Sequence, residues 1–96
     1  MFEIGFNDSG QVAVSGRLDA AQATTAQEFL DAVGDQCVLD LGGLEYISSA
    51  GLGVLLRTHK RLMAGDSALE LVNVNKHIAD IFRYSGFDKL FVIKAA

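Results

Sequence analysis

The sequence contains no proline, one cysteine and only two histidines. Without proline there is no proline-rich tract, and no low-complexity stretch or linker divides the chain. The lone Cys37 has no partner for an internal disulfide. It lies in an apolar run, which marks it as a small buried hydrophobe suited to a reducing compartment. Long hydrophobic runs are missing too. The longest, Ala50 to Leu56, falls far short of a bilayer's thickness. The opening MFEIGFN has neither a basic region nor an apolar stretch, so no signal peptide is expected, and no lipidation motif is present. Basic residues are few: 8 Lys and Arg stand against 12 Asp and Glu, a net charge of −4. That balance argues against nucleic acid, where a basic patch supplies most of the affinity. A cytoplasmic protein without a membrane or nucleic-acid partner is expected.

At 96 residues, half of them hydrophobic, the chain is expected to form one domain over 1–96 with one compact core. Phe2, Ile4 and Phe6 alternate as in a half-buried strand. Asn7-Asp8-Ser9-Gly10 signals a turn, and Val12 and Val14 resume the alternation, giving a hairpin. Asp19 can cap a helix with the apolar stripe Ala26, Phe29, Leu30 and Val33, ended by Gly34. Cys37 to Leu41 is almost continuously apolar, as in a central strand covered on both faces. A second helix is predicted over 49–64, with Leu52, Leu55, Leu56, His59, Leu62 and Met63 on its inner stripe. Gly65 stops it. Leu69, Leu71, Val72 and Val74 form a strand. Asn75 caps a third helix whose inner face is Ile78, Ile81 and Phe82, and Gly86 closes it. Leu90 to Ile93 is a last strand.

The order β-β-α-β-α-β-α-β calls for right-handed crossovers and a largely parallel sheet. The strand-to-helix loops then share one rim, where sites collect. Those loops are Arg17-Leu18-Asp19, Leu41 to Ser49, and Asn73-Val74-Asn75. Asp19 and Ser49 should therefore be spatial neighbours.

Little in this pattern supports catalysis. A nucleophile elbow lacks its first glycine, because Ile47 precedes Ser48-Ser49-Ala50-Gly51. Gly51-Leu52-Gly53 begins a dinucleotide fingerprint that Leu56 breaks. His59 reads as a satisfied core residue, and His77 sits at a helix start. No spacing fits zinc, and Asp19, Asp40 and Glu45 read as solvated loop and cap carboxylates rather than cation ligands. No cofactor and no enzymatic activity are expected.

The junction before the second helix is more informative. A serine there caps the helix, and a phosphate on it would meet the free N–H groups of the first turn. Ser49 is thus either a plain cap or a covalent switch. Ala50, Gly51 and Gly53 leave the first turn almost bare. That fits close approach of a partner, and it equally fits tight packing of helix on sheet. Arg57, Thr58, Lys60 and Arg61 are read as a solvated face.

These residues resemble the bacterial anti-sigma factor antagonists, the small single-domain members of the STAS superfamily. The resemblance is carried by Gly16-Arg17-Leu18-Asp19, by Leu39-Asp40-Leu41, by the block Tyr46 to Leu56, and by Ser85-Gly86-Phe87. It implies a STAS-like α/β fold: a mixed, mostly parallel sheet of about five strands, with an N-terminal hairpin and three helices packed on it. It also implies a partner switch. The unmodified protein binds an anti-sigma factor that is a serine kinase of the histidine-kinase-like ATPase type. Phosphorylation of Ser49, or less favourably Ser48, releases it, and a metal-dependent serine phosphatase resets it. Asp19, Ser48, Ser49, Ala50, Gly51 and Gly53 would meet the partner. Ser48 replaces the aspartate usual in the family, and the chain ends at Lys94-Ala95-Ala96 where relatives often add a helix. Two other readings stay open. One is a non-phosphorylated STAS subunit of a larger complex, such as a lipid-transport ATPase. The other is a small-ligand or nucleotide binder.

Overall fold

The structure is a computed structural model, which describes residues 1–34 and 37–95. Its elements are β1 (Glu3–Phe6), β2 (Val12–Leu18), α1 (Ala23–Asp31), β3 (Cys37–Ile47), α2 (Ser49–Ala64), β4 (Leu69–Val74), α3 (Lys76–Ser85), a 3₁₀ turn (Phe87–Lys89) and β5 (Val92–Ala95). The sheet order is β1-β2-β3-β4-β5. β1 runs antiparallel to β2, and β2 through β5 are mutually parallel. This is the mixed, mostly parallel sheet with three helices expected from the sequence.

The hairpin forms because Asn7 turns the chain. Its Oδ1 accepts from the backbone N–H of Ser9 and of Gln11, each at 3.0 Å. Ile4 packs on the core, but Phe6 is exposed, with its ring tilted against that of Phe29, centroids 5.4 Å apart.

Along β2 and the first half of β3, buried residues alternate with half-buried ones. The helices therefore cover one face. β3 is not covered on both faces as expected: Leu39 and Leu41 are buried, while Val38 and Asp40 are partly open. β3 is also longer than expected, because the presumed loop after Leu41 continues as strand. Its register against β2 slips twice, from Ala13↔Asp40 to Ser15↔Gly43 and from Gly16↔Leu44 to Arg17↔Tyr46. Each extra residue reverses the alternation. Leu41, Leu44 and Ile47 thus all reach the core although they are three apart.

α1 begins at Ala23, four residues after the expected cap Asp19, and Gln22 at its start makes no side-chain cap bond. The segment between is a turn in which Asp19 Oδ1 accepts from the Gln22 N–H at 3.3 Å. The helix ends at Asp31, short of Gly34. Carbonyls at its end and just beyond it are taken by Arg61, whose Nη2 donates to Leu30 at 2.8 Å and Val33 at 3.3 Å. Thr58, expected on the solvated face, is fully buried, whereas Arg57 and Arg61 are exposed there as expected, with Arg57 Nε donating to Gln27 Oε1 at 3.0 Å. Lys60 remains exposed, and so does Met63, which was placed on the inner stripe.

α3 is capped as expected. Asn75 Oδ1 accepts from the Ile78 N–H at 2.9 Å, and Gly86 closes the helix at φ 79°. Ile78 and Phe82 are fully buried, each contributing roughly 1.5–3 kcal/mol, and Ile81 is partly buried against the core. Leu90 belongs to the approach to β5 rather than to the strand, and is largely exposed.

Candidate functional site

The C-terminal rim is built at the junction of β2, β3 and α2. Leu18 and Ile47 are register partners, both buried. The residue after β3, Ser48, donates its N–H to the Leu18 carbonyl at 2.9 Å. Asp19, expected to neighbour Ser49, directly follows the residue whose carbonyl takes this bond. The third loop sits lower on the sheet. Asn75 Nδ2 donates to the Leu44 carbonyl at 2.9 Å, three residues before Ile47. β2 and β3 thus project past β4, and the site is made by two loops rather than three.

The two serines have different duties. Ser48 is the cap: its backbone is extended, and its Oγ accepts from the Gly51 N–H at 3.2 Å. Ser49, read as either a cap or a covalent switch, is the first residue of the helix and is exposed. No acidic residue occupies the first turn. The N–H groups of Ser49 and Ala50 are among those a helix leaves without intrahelical partners.

The glycines divide as well. Gly51 is buried, and a Cβ added there would fall 2.8 Å from the Leu18 carbonyl oxygen and from Ile47 Cγ1. Gly51 therefore lets the helix seat on the rim and serves packing. At Gly53 the side-chain atoms nearest an added Cβ belong to the Arg57 guanidinium, the closest a terminal nitrogen at 3.3 Å. Gly16, below the rim, has φ 82° with the Met1 backbone against it, a position closed to other residues.

On the sheet face away from the helices, the Arg17 guanidinium lies over the Tyr46 ring, 4.4 Å from its centroid. This pairing was not read from the sequence, since it depends on the second register slip.

The remaining titratable groups lie elsewhere. His59 is buried with its ring edge-on to Phe91, centroids 5.1 Å apart, and its Nδ1 has no hydrogen-bond partner among the described residues. It is a core residue as expected, but not a satisfied one. His77 is exposed at the start of α3. Burial pushes the Cys37 thiol up to about 11, with the Arg61 charge opposing. Asp40 Oδ1 accepts from the Gly42 N–H at 2.9 Å, and Glu45 is exposed. No cluster of three or more metal-ligating side chains occurs among the described residues. No helix among them is long and apolar enough to cross a membrane. Two open depressions of about 410 and 300 Å³ lie at Asp66 to Val92 and along the β1–β2 hairpin, and neither includes Asp19, Ser48 or Ser49.

A family model described as "Mlab, STAS domain" matches residues 4–93. BtrV of Bordetella bronchiseptica, described as an anti-sigma factor antagonist, is 45% identical over 56 residues. That segment is 58% of this chain and 48% of BtrV, so the match spans about half the length of this relative. The crystal structure of an anti-sigma factor antagonist from Mycobacterium paratuberculosis superposes with a TM-score of 0.82 at 24% identity, covering 100% of this chain and 86% of that one. The Bacillus cell fate determinant SpoIIAA in its phosphorylated form superposes with a TM-score of 0.70 at 17% identity, covering 100% and 92%. These structural likenesses show a shared fold.

Proposed function

The chain belongs to the STAS domain family, and from that membership we propose that it is an anti-sigma factor antagonist working in a phosphorylation-controlled partner switch. The observation that carries this reading is the division of labour between Ser48 and Ser49. Ser48 holds the helix cap, so the Ser49 hydroxyl is exposed and free of that duty. Its modification leaves the fold intact, because a phosphate at a helix N-terminus is favoured by the dipole and the free N–H groups.

The unmodified rim, with Asp19, Ser48, Ser49, Ala50 and the face at Gly53, binds an anti-sigma factor that is also a serine kinase. Gly51 supports this surface from beneath rather than touching the partner. The Ser49 oxygen takes the γ-phosphoryl group of ATP, ADP leaves, and the hydroxyl proton passes to a base on the kinase. The product gains about 1.5 to 2 negative charges at one point. Stripping water from that charge in a close interface costs several kcal/mol, and about 1.4 kcal/mol is a tenfold loss of affinity. One modification therefore empties the complex. A metal-dependent serine phosphatase restores the binding form.

A second reading has one observation in its favour, the Mlab description of the matching family model. On it, the chain is a non-phosphorylated interaction subunit of a larger complex, such as a lipid-transport ATPase. Intact-mass spectrometry after incubation with the cognate kinase and ATP separates the two. One phosphate is expected, absent in Ser49→Ala and retained in Ser48→Ala. No phosphate on the unsubstituted chain supports the subunit reading. Loss in Ser48→Ala alone moves the acceptor by one position.

A further inference from the structure

Ser49 and Gly53 are four residues apart in α2, so they lie one turn above the other on the same face. The space that a side chain at 53 would fill is occupied by the Arg57 guanidinium. A Cβ on Gly53 would be 3.3 Å from one terminal nitrogen of Arg57 and 3.8 Å from the other and from Cζ. Arg57 thus leans back toward the start of the helix, the direction in which helical side chains point. The side chain is also anchored. Its Nε donates to Gln27 Oε1 at 3.0 Å, and Gln27 Nε2 donates to Asp31 Oδ1 at 2.9 Å and Thr58 Oγ1 at 3.3 Å. Among the described residues the ion pairs are Arg83–Asp80 and Lys94–Glu70, so Arg57 has no carboxylate of its own. The guanidinium lies against Gly53, one turn from Ser49, and among the described residues its terminal donors are unclaimed by an acid.

We infer that Arg57 is a built-in counter-ion for a phosphate on Ser49, with Gly53 providing the slot in which its guanidinium lies. This rests on the proposed modification of Ser49. One helical turn is about 5.4 Å. Extension of the Arg57 side chain over Gly53 toward the helix start closes that span, bringing its terminal nitrogens to a phosphate on Ser49 for a charge-assisted hydrogen bond of about 2.8 Å. The pairing holds the phosphate against the helix and favours its dianion. A phosphatase must then compete with Arg57 for the group it removes. Gln27 makes α1 part of the device, since it sets where the guanidinium rests.

The test uses the full chain with phosphoserine placed at position 49 during synthesis, so no kinase is involved. The second ionisation of the phosphate is followed by phosphorus NMR against pH, with and without Arg57→Gln. A nearby positive charge favours the dianion, so the midpoint in the Arg57 protein is expected lower by roughly 0.5–1 pH unit. Asp19 beside the rim opposes this, equally in both proteins. Gly53→Ala, which keeps the charge but fills the slot, is expected to lose part of the shift. The Arg57 Nε–H resonance should move with the same midpoint as the phosphate. Midpoints equal within about 0.1 unit in the Arg57 and Arg57→Gln proteins, with an Arg57 resonance indifferent to the phosphate, would overturn the pairing. That result leaves Ser49 as acceptor untouched, whereas failure of the kinase reaction at Ser49 leaves this titration valid.

Discussion

The backbone N–H of Ser48 donates to the carbonyl of Leu18 at 2.9 Å, joining the end of β2 to the start of α2. This bond continues the β2–β3 ladder one residue past Ile47, and the helix begins directly after it. Ser48 is then held on three sides: its N–H by Leu18, its carbonyl by the Leu52 N–H at 2.8 Å, and its hydroxyl by the Gly51 N–H at 3.2 Å. Ser49, the next residue, is exposed.

The two serines should separate in stability. Ser48→Ala removes a cap and is expected to cost about 0.5–2 kcal/mol. Ser49→Ala removes an exposed hydroxyl and is expected to stay within about 0.5 kcal/mol of the unsubstituted chain. Urea denaturation of both variants checks this. A larger loss for Ser49→Ala would mean that Ser49 holds the helix start.

Binding should separate them in the opposite sense. Ser49→Asp places a carboxylate inside the proposed interface and should weaken the complex with the anti-sigma partner by tenfold or more, while Ser49→Ala retains it. Melting temperature should barely change in Ser49→Asp, because a carboxylate suits a helix N-terminus. Calorimetric titration against the partner reads the difference. Equal affinity of Ser49→Asp and the unsubstituted protein removes the charge-switch mechanism.

Much of this architecture was legible because the elements carry strong local signals. Asn75 and Gly86 bracket α3 in sequence as they do in space. The second half of β3 was not legible. Its core residues Leu41, Leu44 and Ile47 are spaced by three, which matches no strand period, because two register slips intervene. The contacts of α2 with α1 were not legible either. Arg57 and Arg61 carry charge yet are bound to Gln27 and to the end of α1, and spacing along one helix cannot reveal a partner on another. Ser48 and Ser49 both fit a cap by type. Only the backbone geometry assigned the role.

The two glycines of the first turn should respond differently to alanine. Gly51→Ala drives a methyl to 2.8 Å from the Leu18 carbonyl oxygen and Ile47 Cγ1, both in the packed rim. Overpacking of that kind costs roughly 1–3 kcal/mol. Gly53→Ala meets first the flexible end of Arg57, so the alanine preference of helices, up to about 1 kcal/mol, is expected to offset the displacement. Thermal unfolding of the two variants should therefore show a clear loss for Gly51→Ala and little change or a gain for Gly53→Ala.

Cys37 gives the fold a dependence on alkaline pH. Its thiol is raised from 9.0 to about 11, by burial first, with the Arg61 charge opposing. The folded state therefore favours the neutral thiol. Its contribution is fully present below pH 9 and is lost as pH rises toward 11. Cys37→Ala, compared with the unsubstituted chain, should flatten the fall in stability over that window. The thiol should also label slowly in the native state at pH 8, because the thiolate is the reactive form. Rapid labelling without unfolding would contradict its burial.

Asp19 offers the sharpest test of the rim as a recognition surface. Its Oδ1 accepts from the Gln22 N–H at 3.3 Å in the turn before α1, and the Gln22 N–H also reaches the Asp19 carbonyl at 3.1 Å. The side chain therefore has a local role, worth about 0.5–1.5 kcal/mol. The residue also directly follows Leu18, whose carbonyl holds Ser48, and on the proposed reading its charge would face a kinase approaching Ser49. Asp19→Asn keeps an oxygen acceptor and removes the charge, so it should leave stability nearly unchanged while lowering partner affinity or the rate of Ser49 phosphorylation. Asp19→Ala removes both and should lower stability as well. Unfolding curves and the phosphorylation time course, measured on both variants, separate the roles. If Asp19→Asn is bound and phosphorylated like the unsubstituted chain, the residue serves the turn alone, and the recognition surface is confined to the start of α2.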